Sequence, residues 1–232
     1  MVRRATPKPG VPENDATSIL NEAYDVLDSI YPKEIRFLDE RNPFQFLISV
    51  ILSAQTTDET VNKVAPVLFN AYPDAKALAD ADMNDIKGII HSTGFYNAKA
   101  NHIIECSKAL CELHGGEVPS SMDELLRLPG VGRKTANCLR SNVLGLPGIV
   151  VDTHFSRVVS RLLGLGSREP AMIEAVVAES LPQDRWSRFS MTANSHGRDV
   201  CHASKPLCGR CPLKEVCLHP NGQDPADVVR PV

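Results

Sequence analysis

The sequence predicts an all-α protein. Three observations carry this. Apolar residues recur at helical spacing along most of the chain, cap-type residues stand where those runs begin, and the one β-like run, Ile149-Val150-Val151, is too short to imply a sheet. The 232 residues are 43% hydrophobic and 23% charged, which supplies a sizeable core and excludes wholesale disorder. The longest apolar run, 46–54, is interrupted by Ser49 and Ser53 and falls short of the roughly 20 residues that span a bilayer. The first eighteen residues hold no apolar stretch typical of a secretion signal. The expected compartment is therefore the cytoplasm.

Each element follows from local chemistry. Ile19, Leu20, Ala23, Val26, Leu27 and Ile30 mark an amphipathic helix, with Asp15, Thr17 and Ser18 as cap-type residues before it. Asn42-Pro43 reads as an N-cap and first-turn proline, opening a helix to about residue 54 that is apolar nearly all round and so central. Thr57 caps the next helix, with Asp58 and Glu59 at its positive end and Pro66 expected to kink it. Short helices follow near 75–79 and 83–91, then a longer one over 97–113 that stops before Gly115-Gly116. Ser121 and Glu124 have capping-box spacing. Beyond a tight turn at 129–132, helices are expected over 133–144, 153–163, 170–181 and 184–199.

Net charge is −3, so bulk charge announces no nucleic-acid partner. Its distribution does open that question. Residues 185–214 carry six bases (Arg185, Arg188, Arg198, Lys205, Arg210, Lys214) against one acid, Asp199, and Arg127, Arg133, Lys134 and Arg140 form a second basic stretch.

Cys201, Cys208, Cys211 and Cys217 have the spacing C-x6-C-x2-C-x5-C, compact enough to close around one metal centre. Zinc and a cubane iron–sulfur cluster both accept four thiolates. Structural zinc usually comes with two short C-x2-C pairs; only one is short here, which favours iron–sulfur. Cys106, Cys111 and Cys138 lie in apolar helical patterns and read as packing residues.

Leu128-Pro129-Gly130-Val131-Gly132-Arg133-Lys134-Thr135 joins a short helix to a longer one. Its glycines allow unusual backbone geometry and close approach. The free N–H groups that follow suit a phosphate oxygen, the logic of a helix-hairpin-helix motif that grips DNA without reading bases. Lys134 sits in the first turn, where the positive helix end disfavours a bound proton and suits a nucleophilic amine. Asp152, in Val151-Asp152-Thr153-His154, is placed to cap the next helix.

Together with Leu52-Ser53-Ala54-Gln55, these motifs resemble the endonuclease III branch of the helix-hairpin-helix DNA glycosylases, over about residues 18–217. The resemblance implies a two-lobed helix-hairpin-helix DNA glycosylase fold with a DNA groove between the lobes. Residues 36–146 would form a six-helix barrel lobe, residues 14–35 plus 147–218 an iron–sulfur cluster lobe, and 1–13 and 219–232 flexible tails. It implies a [4Fe–4S] cluster on the four cysteines, and excision of oxidised pyrimidines followed by strand cleavage at the abasic site. Lys134 would be the nucleophile at C1′, and Asp152 would stabilise positive charge on the sugar. Gln55 would fill the gap left by the extruded nucleotide, and Phe95 stands where the family commonly has a leucine wedge. Gly130, Gly132, Arg133, Thr135, His154 and Arg198 would contact DNA. The implied partner is double-stranded DNA with damaged pyrimidines or abasic sites, bound by a monomer that needs no membrane.

Two departures from the family pattern stand out: Phe95 itself, and the unusually polar Met191-Thr192-Ala193-Asn194-Ser195. Other readings are a mismatch-specific uracil or thymine DNA glycosylase, a non-catalytic helix-hairpin-helix DNA-binding module, an enzyme removing adenine opposite oxidised guanine, and an electron carrier. The adenine enzyme lacks the hairpin lysine, and an electron carrier would need neither the hairpin nor Lys134.

Overall fold

Eleven α-helices and two 3-10 turns form among residues 13–35, 37–39 and 42–219, which the computed structural model describes, and no strand occurs among them. These residues form two compact units. One joins the first helix to everything from Ile149 onward, and the other runs up to Gly148. None of the helices is long and apolar enough to cross a membrane.

In the second of these units, α2 (Pro43–Leu52) is central. Asn42 accepts the N–H groups of Phe44 and Gln45, Pro43 starts the helix, and eight of its ten residues are buried. Around it pack α3 (Asp58–Ala71), α4 (Ala75–Ala79), α5 (Met83–Ile90), α6 (Tyr96–His114), α7 (Met122–Leu125) and α8 (Arg133–Asn142). Thr57, Asp74, Asp82 and Ser121 cap α3, α4, α5 and α7 through their side chains. Pro66 does not interrupt α3. Val64, Ala65, Leu68 and Phe69 are buried on either side of it, and that packing outweighs the lost backbone hydrogen bond.

The other unit contains α1 (Glu13–Ile30), α9 (Thr153–Leu162), α10 (Pro170–Ser180) and α11 (Gln183–Asp199). Its core gathers Leu20, Ala23, Leu27, Phe155, Val159, Ile173, Val177 and Phe189. The first helix begins ahead of Asp15, Thr17 and Ser18, which therefore lie inside it and do not cap it; Ala16 is already buried, so packing draws the helix past those polar residues.

Arg185 and Arg188 are committed within this unit. Arg185 donates to Asn21 and Asp25 and lies 4.5 Å over the Tyr24 ring; Arg188 donates to Asp28 at 2.6 Å and to the Pro32 carbonyl at 2.7 Å. Two of the six cations in the 185–214 stretch thus pin α11 to α1. Nearly all of the expected 219–232 tail, and all but the last residue of the 1–13 tail, lie outside the described residues.

Candidate functional site

The hairpin turn divides its two glycines by task. Gly130 has φ +78°, and a Cβ there would stand 3.0 Å from His102 Cβ, so both conformation and space demand glycine. Gly132 has φ −94° and nothing within 4 Å of a built Cβ. Its lack of a side chain serves no internal contact; it leaves the turn open to a backbone from outside. Arg133 and Lys134 are exposed in the first turn of α8, where the amide N–H groups point outward, and Thr135 is half-buried beside them.

Asp152 is held through both oxygens. Oδ1 accepts the Phe155 N–H at 2.8 Å, capping α9, and Oδ2 accepts Asn194 Nδ2 at 2.5 Å. Asn194 is buried on α11, and its own Oδ1 accepts Arg198 Nε at 2.9 Å, which fixes the direction of the amide. The polar departure at 191–195 is thereby accounted for: Asn194 serves the carboxylate, and Thr192 bonds back to the Arg188 carbonyl. His154 packs against Gly197, where a Cβ would come within 2.9 Å of His154 Cβ, and its Nδ1 lies 3.1 Å from Arg157 Nη2.

Gln55 and Phe95 share an unusual trait. Both are exposed non-glycine residues in left-handed backbone, at φ 54° and 49°. Each ends a loop in the unit built around α2: Gln55 follows α2, and Phe95 follows the 3-10 turn His91–Thr93.

Cys201, Cys208, Cys211 and Cys217 line one cavity with Val158, Arg161 and His196. The C-x2-C step is a single 3-10 turn, Cys208–Arg210, in which Cys211 N–H donates to the Cys208 carbonyl at 3.2 Å. Burial pushes the thiols of Cys211 and Cys217 above the ordinary range, and the neighbouring cysteines add to it. Among the described residues no three His, Cys, Asp or Glu side chains converge as ligands of one ion would. Four cysteines lining one cavity supply the four-thiolate donor set that an iron–sulfur cluster takes.

Two buried arginines on α9 that the sequence did not single out hold the chain around Cys201, and one of them, Arg161, lines the cavity. Arg161 donates to Cys201 Sγ at 3.3 Å and to the His202 carbonyl at 2.7 Å, and Arg157 donates to the carbonyls of Cys201 and Gly197, each at 2.8 Å. Their i, i+4 spacing inside an apolar helix was the available signal. His196 adds a buried wall; burial lowers its pKa to about 4, and its Nε2 is 3.5 Å from Cys211 Sγ.

Comparison with known proteins gives one family. Residues 48–183 match the HhH-GPD superfamily base excision DNA repair protein model, and residues 201–217 the iron–sulfur binding domain of endonuclease III. The chain is 47% identical to an endonuclease III of Synechocystis sp. over 193 residues, covering 83% of this chain and 88% of the relative. With endonuclease III of Escherichia coli K12 the identity is 37% over 180 residues, covering 78% and 85%. Among solved structures, a non-covalent endonuclease III–DNA complex superposes with a TM-score of 0.81 at 37% identity, covering 87% of this chain and 95% of that one. A trapped endonuclease III–DNA covalent intermediate gives 0.80 at 35% identity, covering 95% and 100%.

Proposed function

The chain belongs to the HhH-GPD superfamily of base excision DNA repair proteins, and within it to the endonuclease III family, and on that premise we propose that it excises oxidised pyrimidines from duplex DNA and cleaves the resulting abasic site. The observation that carries this reading is Lys134, an exposed amine in the first turn after a hairpin whose Gly132 leaves room for a phosphate backbone. One matched relative was trapped as a covalent intermediate with DNA, and a protein that bonds to DNA this way needs a nucleophile.

The damaged nucleotide must leave the stack before C1′ can be reached. The neutral Lys134 amine then attacks C1′, the glycosidic C–N bond breaks, and the base departs with a proton. The proton that the amine gives up balances the one the base takes; the C1′–O4′ bond then breaks as O4′ takes a proton from solvent, leaving a protonated Schiff base. The iminium acidifies C2′; removal of a C2′ proton breaks the C3′–O bond, and the phosphate leaves. Asp152, fixed by Phe155 N–H and Asn194, offers its negative charge to the cationic sugar in the first step. Gln55 fills the space the nucleotide vacates, Phe95 wedges against the opposite strand, and Arg133, Thr135, His154 and Arg198 join the two glycines in holding the strand. A lesion panel in duplex DNA, each lesion opposite all four bases, tests the substrate class; release of mismatched uracil or thymine with no release of oxidised pyrimidines would replace it with a mismatch glycosylase.

Cys201, Cys208, Cys211 and Cys217 hold the [4Fe–4S] cluster, which when bound cross-links the segment after α11. Purified protein should be yellow-brown with about four irons per chain. Cys208→Ser should lower thermal stability and DNA binding more than the chemical step, because cluster ligation is folding energy for that segment. Stoichiometric zinc without iron in anaerobically prepared protein would contradict the assignment.

Affinity for undamaged duplex should fall steeply with salt. With Arg185 and Arg188 committed to α1, the log–log slope should correspond to about three to four phosphates. A slope near zero, measured by fluorescence anisotropy across a salt series, would mean that the remaining cations face away from DNA.

A further inference from the structure

Lys99 on α6 is a buried ammonium that the chemistry above does not use. It is 4% exposed, yet its partners are a hydroxyl and a carbonyl, not a carboxylate: Nζ donates to Thr56 Oγ1 at 2.6 Å and to the Thr93 carbonyl at 2.8 Å. Thr56 Oγ1 in turn donates to the Thr93 carbonyl, closing a three-membered network. Burial holds the Lys99 amine below the usual lysine range. Burying a cation without a counter-charge is costly, so the position calls for a return.

What the network joins supplies that return. Thr56 is the residue after Gln55, and Thr93 lies two before Phe95, which is 68% exposed. Gln55 and Phe95 are two of the three non-glycine residues with positive φ among the described residues. Strained backbone at an exposed tip persists only when its surroundings over-determine it. Lys99 reaches both loops at once from a third element, α6, and so ties together the two loops that Thr56 Oγ1 already bridges. It sits behind the tips, on the helix whose N-cap is Phe95 itself.

We infer that Lys99 is a positioning residue for DNA: it locks the Gln55 and Phe95 loops into one rigid two-pronged wedge, so that both prongs enter the duplex together when the nucleotide is extruded. The inference rests on the proposed reading of those two tips. The network leaves the tips free of direct contact with the ammonium, so its removal should loosen their spacing and leave their chemistry unchanged.

The test uses the full chain with its cluster and a duplex carrying 2-aminopurine opposite a tetrahydrofuran abasic analogue. Unstacking of that base on binding raises its fluorescence. Lys99→Met should lose most of the rise, and on a matching duplex carrying an oxidised pyrimidine in place of the analogue it should slow single-turnover base release by about tenfold or more, while visible cluster absorbance and salt-dependent binding to undamaged duplex stay as in wild type. In a background of Gln55→Ala with Phe95→Ala, Lys99→Met should have little further effect, because it acts through the tips. An equal loss with and without the tips would overturn the inference and leave Lys99 a packing residue. Should Lys99→Met fail to fold, Thr56→Val breaks the same link from the other side and takes its place in the cycle. If the two tip variants alone behave as wild type, the reading of Gln55 and Phe95 fails first, whatever Lys99 does.

Discussion

Lys134→Gln is expected to abolish both covalent trapping and strand cleavage while leaving DNA affinity within about tenfold. Borohydride added during turnover should reduce the imine of the wild-type protein and leave it attached to DNA, in EDTA as well as without it. Glutamine keeps a polar side chain only one atom shorter but has no nucleophilic amine, so no Schiff base forms and neither step proceeds by this route. Binding should persist because Lys134 is exposed, and one exposed cation contact is worth roughly 1 kcal/mol or less. The helix itself should be indifferent, since the first turn of α8 gains nothing from a cation there. Denaturing gels of trapped complexes and an abasic-duplex cleavage assay read the two losses separately. Persistent trapping by the variant would move the nucleophile elsewhere and remove the centre of the mechanism.

Much of the architecture was legible because its signals are local. Asn42-Pro43, Thr57, Ser121 and Asp152 cap helices through their own side chains, so their positions could be read without knowledge of the fold. The cysteine spacing and the Gly130 turn are equally local. What was not legible depends on partners far along the chain. Arg185 and Arg188 read as part of a basic surface, whereas their acids Asp25 and Asp28 lie about 160 positions earlier. Nothing local singles out Lys99; its burial appears only when Thr56 is brought to it from 43 positions away. The start of α1 was decided by burial of Ala16, which local propensity does not register. Asn194 was visible as an oddity, but its purpose required Asp152 beside it.

That pairing sharpens the expectation for Asp152→Asn. Asparagine also caps helices, so its Oδ1 can keep the Phe155 N–H. Its new amide NH₂ would meet the NH₂ of Asn194, donor against donor, and Asn194 cannot turn its oxygen inward without giving up Arg198 Nε. The variant should therefore lose about 1–2 kcal/mol of stability, more than a neutral cap exchange, measurable by denaturant unfolding with the cluster intact. Base release should slow by about a hundredfold or more, because the negative charge facing the developing sugar cation is gone. The two effects separate in a swap. Adding Asn194→Asp to Asp152→Asn restores an acceptor for the amide at 152 and gives Arg198 a carboxylate. Stability should return toward wild type, yet base release should remain slow, since the charge now sits on α11 and not at the start of α9. Recovery of the rate in the swapped protein would mean that Asp152 serves only to hold the helix, and that the charge facing the sugar comes from some other group.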